Sequence, residues 1–115
     1  MGQQNINIWA LEKDRSIRHL LLLLKMQLGD EAFLIDLSRS CDRCAIFLQH
    51  PRDPELNAYL YTLGQPEGHY GLHLEYPSTD GIERIEVEEN LKFATLAELL
   101  AVHFDVPSLK PLPGR

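Results

Sequence analysis

Apolar positions recur along this chain with two different periods, and the changes of period mark out its elements. Between Arg15 and Leu28 they fall at Ile17, Leu20, Leu21, Leu24 and Leu28. At about 100° per residue these share one face of a helix, the spacing of a core-facing stripe. Asp14 precedes the run as a candidate N-cap, its carboxylate placed to accept free N–H groups of the first turn. Gly29 follows as a candidate stop, able to take the left-handed conformation that ends a helix. The run Leu20–Leu24 cannot point one way throughout, so Leu22 turns aside with Met26 into a face that also holds Arg15, Arg18, His19 and Lys25. Covered by sheet, loop or tail, those two residues are the rim of a core. Left open among polar groups, they mark a contact with a partner or a second copy.

Beyond Gly29 the period drops to two, which predicts strands. Glu31–Leu37 sets Phe33, Ile35 and Leu37 on one side, and Cys44–Gln49 aligns Cys44, Ile46 and Leu48. Leu56–Leu63 opposes Leu56, Ala58 and Leu60 to Tyr59, Tyr61 and Leu63. His69–Tyr76 alternates most cleanly, with Tyr70, Leu72, Leu74 and Tyr76 against His69, Gly71, His73 and Glu75; Ile82–Val87 follows. The breaks are turn chemistry: Pro51-Arg52-Asp53-Pro54, Gly64-Gln65-Pro66-Glu67-Gly68 and Pro77-Ser78-Thr79-Asp80-Gly81. Ahead of the first helix, Ile6–Trp9 alternates as a short strand or arm, with Trp9 as a packing anchor.

A second helix is expected from Thr95, where Thr95 and Glu98 match a T-x-x-E capping box, with Leu96, Leu99, Leu100 and His103 as its stripe. Asp105-Val106-Pro107 ends it. Strands joined by short turns favour antiparallel pairing. The expected fold class is therefore α+β: an N-terminal helix, a roughly five-stranded, mostly antiparallel sheet and a C-terminal helix, with the helices packed on one face. Residues 1–107 form a single domain in this reading, and 108–115 a proline-containing tail, extended or disordered.

Composition narrows the function classes. The 115 residues suffice for one core, and an apolar fraction of 44% is ordinary for a globular chain. A net charge of −6 argues against nonspecific nucleic-acid or anionic-membrane binding. No apolar run approaches the ~20 residues of a membrane span. Residues Met1–Asn5 lack the features of a signal peptide, and with two cysteines the expected setting is a reducing cytoplasm.

Three groups of residues carry candidate chemistry. Cys41-Asp42-Arg43-Cys44 has redox or zinc spacing, but Ala45–His50 reads as a strand, where a thioredoxin-like site needs a helix to stabilise the thiolate. A metal site of Cys41, Cys44, His50 and one later histidine is the other use of the pair; reduced thiols in a turn leading into a strand are the plain alternative. His69 and His73 share a strand face with Glu75, a candidate ligand-binding surface. They lie about 13 Å apart on a strand, too far to share one zinc ion. From Glu67 to Asp105 acids predominate, opposed by Arg84 and Lys92, with Glu83, Glu86 and Glu88 at the densest point. Such a run is either an edge strand protected by charge or a docking strip for a basic partner or for the basic helix face of a second copy. No catalytic constellation, phosphate loop or cofactor motif is recognisable.

The ends of the chain partly resemble the Src-homology phosphotyrosine-binding domain. Phe33-Leu34-Ile35 falls where that family has its Phe-Leu-Val-Arg strand, and Phe93, Leu96, Glu98, Leu99, His103 and Phe104 follow the pattern of its Phe-x-x-Leu-x-Glu-Leu helix. The resemblance implies a sheet flanked by helices. Asp36 stands where the family places its phosphate-binding arginine, and a carboxylate repels phosphate, so phosphotyrosine binding does not carry over.

The expected function is a non-enzymatic protein-interaction module of adaptor, chaperone or immunity type, pairing with a protein partner or with itself. Its expected surface comprises Arg15, Arg18, Leu22, Lys25 and Met26 on the helix and Glu83, Glu86 and Glu88 on the acidic strip. A thiol or metal protein using Cys41 and Cys44, and a small-ligand binder using His69 and His73, are the alternatives. No cofactor is implied.

Overall fold

A computed structural model describes residues 6–112. Expectations resting on Met1–Asn5, and residues 113–115 of the tail, lie outside the described residues. A single 3₁₀ turn at Ile8–Ala10 leads into helix α1 (Arg15–Leu28). Strands β1 (Leu34–Asp36), β2 (Ala45–His50), β3 (Asp53–Tyr61), β4 (Tyr70–Thr79) and β5 (Ile82–Leu91) follow, then helix α2 (Phe93–His103). The strands pair antiparallel in chain order, β1-β2-β3-β4-β5. The fold is thus the α+β arrangement that the two periods predict.

The core sits between the helices' stripes and alternate residues of the sheet. Pairing aligns Ile35, Leu48, Ala58 and Leu74 in one row and Ile46, Leu60 and Leu72 in the next. Ile17, Leu20, Leu21, Leu24 and Leu28 of α1, and Leu96, Ala97, Leu100 and Ala101 of α2, join those rows in one cluster. Each fully buried leucine or isoleucine contributes about 1.5–3 kcal/mol relative to exposure. At one end Phe33 stacks on Phe104 with centroids 6.2 Å apart.

Several local expectations are corrected. Ile6–Trp9 forms no strand: the Asn7 side chain accepts the Trp9 N–H and starts the 3₁₀ turn. Ile8 is the residue buried there, while Trp9 is 49% exposed. Asp14 precedes α1, but its carboxylate makes no cap bond. It accepts the Cys44 thiol at 2.8 Å instead. Helix α2 starts two residues before Thr95, at Phe93, with Lys92 as its N-cap and no side-chain cap bond, so the capping box does not form. Burial of Leu96 and Ala97 against the core places the first turn, and Thr95 is left exposed within it.

The C-terminus of α2 closes as a Schellman motif. Val106 N–H donates to Ala101 O and Asp105 N–H to Val102 O, with Asp105 at φ 61 where glycine is usual. Between β4 and β5 the expected five-residue break shrinks to Asp80-Gly81. Both have positive φ (54 and 75), as a type I′ hairpin turn requires, so β4 runs on to Thr79. Leu37, expected to share a face with Phe33 and Ile35, lies beyond the end of β1 and is 56% exposed.

Candidate functional site

The sheet residues that alternate with the core rows form a second set of rows on the opposite face. Gln49, Asn57, Glu75 and Ile85 align in one; Asp36, Phe47, Tyr59, His73 and Val87 in the next; Ala45, Tyr61 and Gly71 in the third. The middle row brings aromatic side chains from three adjacent strands into contact. Phe47 and Tyr59 rings lie 4.6 Å apart, Tyr59 and Tyr61 5.4 Å. The His73 ring stands edge-on to both tyrosines, at 5.4 and 5.3 Å. None of these four rings belongs to the helix-side core cluster.

Each contact has a local cause. Tyr61 pairs with Gly71, and its ring fills the space a Cβ at Gly71 would take. The phenol thereby crosses β4 and donates to the Glu89 carboxylate on β5 at 2.6 Å. A bulge brings Glu89 to this position: between Glu88 and Leu91 the ladder shifts, and Asn90 takes φ 60. Burial and the bond to Glu89 push the Tyr61 hydroxyl up to about 12. Burial raises Tyr59 as well. Both phenols therefore stay protonated, hydrogen-bonding groups at neutral pH.

Arg39 completes the face from a loop. Asp36 accepts the Ser38 N–H and hydroxyl, turning the chain sharply after β1. The Arg39 guanidinium then lies 3.7 Å from the Phe47 ring centroid. It also makes a two-pronged bond to Glu75, at 2.8 and 3.1 Å. Stacking and bidentate pairing are the two contacts that a planar guanidinium makes best. Next to this pair, Arg39, Asn57, Glu75, Glu83, Arg84 and Ile85 help to line an open cleft of about 410 Å³.

The residues singled out from sequence fall in several places. His73 joins Phe47, Tyr59 and Tyr61 in a ladder of rings, and the side of the sheet that carries them is its ladder face. His69 precedes β4, its ring against the Glu67 carbonyl at 3.1 Å, and is not brought to His73. Of the helix face, Arg18 donates to the Trp9 carbonyl at 3.0 Å and stacks on its ring at 5.3 Å. Lys25 donates to the Asp30 carbonyl at 2.8 Å and covers Phe33 at 4.7 Å, and its burial lowers the ammonium's pKa. Leu22 packs on the rim of the core, leaving Arg15 and Met26 exposed. On the acidic strip, Glu86 accepts from Tyr76 at 2.9 Å and from Arg84 at 3.1 Å, which holds its carboxyl below the usual range. Glu88 points to the same side as Glu86, and Glu83 to the ladder side, in keeping with strand alternation.

Cys41, Cys44 and His50 are not brought together. Cys44 precedes β2 and His50 ends it, about 20 Å away along an extended strand. Among the described residues no three histidine, cysteine or acidic side chains gather as a metal set. The thiol of Cys44 donates to Asp14, and that bond pushes its pKa up, the reverse of what a reactive thiolate needs. Cys41 lies 3.3 Å from the Lys13 ammonium. His50 is buried; its Nδ1 accepts the Arg52 N–H, so the proton on Nε2 faces Asp105 at 3.3 Å.

Arg39 and Phe47 lie outside the sites expected from the sequence. The parity of Phe47 against Ile46 and Leu48 was a usable signal, since an aromatic ring on the polar side of a strand is unusual. Arg39 offered none, because its partner Glu75 lies 36 residues away.

Fold and face together define an α+β domain whose helices and sheet enclose one core, with an aromatic, carboxylate-rimmed surface on the sheet's other side. Comparison with protein-family models, with curated proteins and with solved structures finds no match to the chain. No described helix is long and apolar enough to cross a membrane.

Proposed function

We propose that this chain is a non-enzymatic protein-interaction module, of adaptor, chaperone or immunity type, whose ladder face receives a basic segment of a partner protein. The observation that carries this reading is the seat of Arg39, a guanidinium stacked on Phe47 and held by Glu75. The rest of the face repeats those ingredients: rings at Tyr59, Tyr61 and His73, and carboxylates at Glu83 and Glu89. A cation over an aromatic ring contributes about 0.5–1 kcal/mol at an exposed site and about 2 when desolvated. The surrounding acids, with a net charge of −6, favour approach of a basic segment. A nucleic-acid strand on the same rings would meet those carboxylates and be repelled.

Titration with extended peptides bearing arginine or lysine, at low and high salt, tests this. Binding is expected to weaken with salt and to fall about tenfold in Tyr59→Ala and in Glu83→Gln, the loss of one desolvated cation–ring contact or charged hydrogen bond. Peptides that bind neither protein, or that bind Tyr59→Ala as well as the parent, would sink the reading. The cleft beside Glu75 favours a second one, a small cationic ligand. Free arginine that binds as tightly as the peptides would support it instead.

A further inference from the structure

Strand β5 is an edge of the sheet, ten residues long, and among the described residues no strand pairs with its outer side. The other edge, β1, is only three residues long, and short edges give little template for pairing. Length does not protect β5, which also exposes Ile82, Ile85 and Val87 at 69%, 50% and 54%. Its charges are the remaining defence, and Arg84 interrupts the acidic series.

That interruption matters once a second β5 is laid antiparallel to the first about a two-fold axis. Residues directly opposite share a face, and the residue on the axis fixes every pair. An axis at Glu83, Arg84, Glu86, Glu88 or Glu89 sets a charge against its own copy. An axis at Val87 sets Glu86 against Glu88. An axis at Ile85 sets Ile85 against Ile85 and each Arg84 against the other copy's Glu86, while Glu83 meets Val87 and Glu88 meets Ile82. Only this centring within Glu83–Glu89 places no like charges opposite one another. Arg84 already lies 3.1 Å from Glu86 of its own strand, so two copies would close these groups into a ring of alternating sign.

We propose that β5 pairs antiparallel with β5 of a second copy, with Ile85 on the two-fold axis, making one continuous sheet across two protomers. The ladder faces then lie side by side, joined through the exposed apolar residues Ile85 and Val87. The pairing is argued from β5 alone, and peptide binding measured on the same variants reports separately on the ladder-face reading.

Sedimentation over a concentration series, together with cysteine cross-linking in a Cys41→Ser, Cys44→Ser background, tests the register. Opposed residues have Cα atoms about 4.5–5.5 Å apart, within disulfide reach. Ile85→Cys is therefore expected to give a covalent dimer under mild oxidation. Val87→Cys faces Glu83 and sits roughly 13 Å from its own copy, and should remain monomeric on the same gel. Arg84→Glu and Glu86→Arg are each expected to weaken the dimer about tenfold by turning two favourable pairs repulsive, and the double variant should restore it. Circular dichroism checks that each variant is folded. A folded parent that sediments as a monomer throughout, equal cross-linking at positions 85 and 87, or a double variant as weak as either single one would overturn the pairing. Protection of β5 amides by a basic peptide on a monomer would do the same, and would assign the edge to that partner.

Discussion

Tyr61 reaches Glu89 by lying flat across Gly71, an arrangement that any Cβ at that position would forbid. Gly71→Ala must lift the ring or part the strands, and overpacking of this kind costs about 1–3 kcal/mol. In urea unfolding the loss should be smaller when Tyr61→Ala is already present, because the two side chains compete for one space. Additive losses would show that the ring and the glycine are not coupled. His103 makes a second prediction. It is buried, its Nε2–H donating to the Asn57 carbonyl at 2.8 Å and its ring edge-on to Tyr76 at 5.0 Å. Burial pushes its pKa below the usual range; the Asn57 bond and the Glu86 charge oppose this, and His50 adds to it. Above the unfolded value of about 6.5 both states carry a neutral ring and the difference is silent. As pH falls through that value, the unfolded chain takes the proton first and stability drops. The thermal midpoint of the parent should therefore fall more steeply than that of His103→Gln between about pH 7 and pH 5.5, the window below the unfolded pKa. Parallel profiles would refute the assignment.

Among the elements, α1 is the most legible. Its stripe and its bounds agree, because a helix wholly committed to one core shows its period without interference. The signals at its ends act otherwise than expected: Asp14 makes no cap bond, and Gly29 at φ 110 and ψ 154 lies outside the left-handed helical region. Leu24 is fully buried and Met26 is 41% exposed. Leu24→Ala is expected to cost about 2–5 kcal/mol in chemical denaturation, and Met26→Ala less than about 0.5. Comparable losses would mean that the second face of α1 is more enclosed than its exposure indicates. Helix α2 was legible as a stripe but not at its start. Thr95 and Glu98 have capping-box spacing, yet the core decides which residue opens the helix, and it takes in Phe93 two residues earlier. The strands were legible by alternation; their ends were not, since Pro77 lies in β4 and Pro54 in β3 where turn residues suggested breaks. Both prolines lie at positions where the ladder shifts or has no partner strand beyond, and there a missing N–H costs the sheet little.

For the whole molecule, alternation along each strand tells which residues share a face, but only pairing tells which of them meet. Tyr59, Tyr61 and His73 could be grouped by parity from sequence. Their contact with Phe47 depends on the alignment of three strands, and the seat of Arg39 depends on a turn that only the folded loop discloses. The basic helix face keeps Arg15, His19 and Met26 exposed, while its other two cations turn to the backbone. Folded, Arg18 and Lys25 spend their hydrogen bonds on the Trp9, Asp30 and Phe33 carbonyls. No family model or solved structure matches the chain, and the apolar positions its ends share with the Src-homology domain are ones that an α+β core of this size supplies on its own terms.

Gly71 has one more consequence. Sliding a strand by one residue against its neighbour turns its apolar side outward, and the core forbids that error. Sliding by two keeps every face correct, so the hydrophobic pattern is blind to it. Between β3 and β4 such a slide would set His69 or His73 beneath the Tyr61 ring, and the Cβ of either would lift the ring from its path to Glu89. The absent side chain thus rejects the misalignments that alternation accepts, and marks the one position at which β3 and β4 can lock.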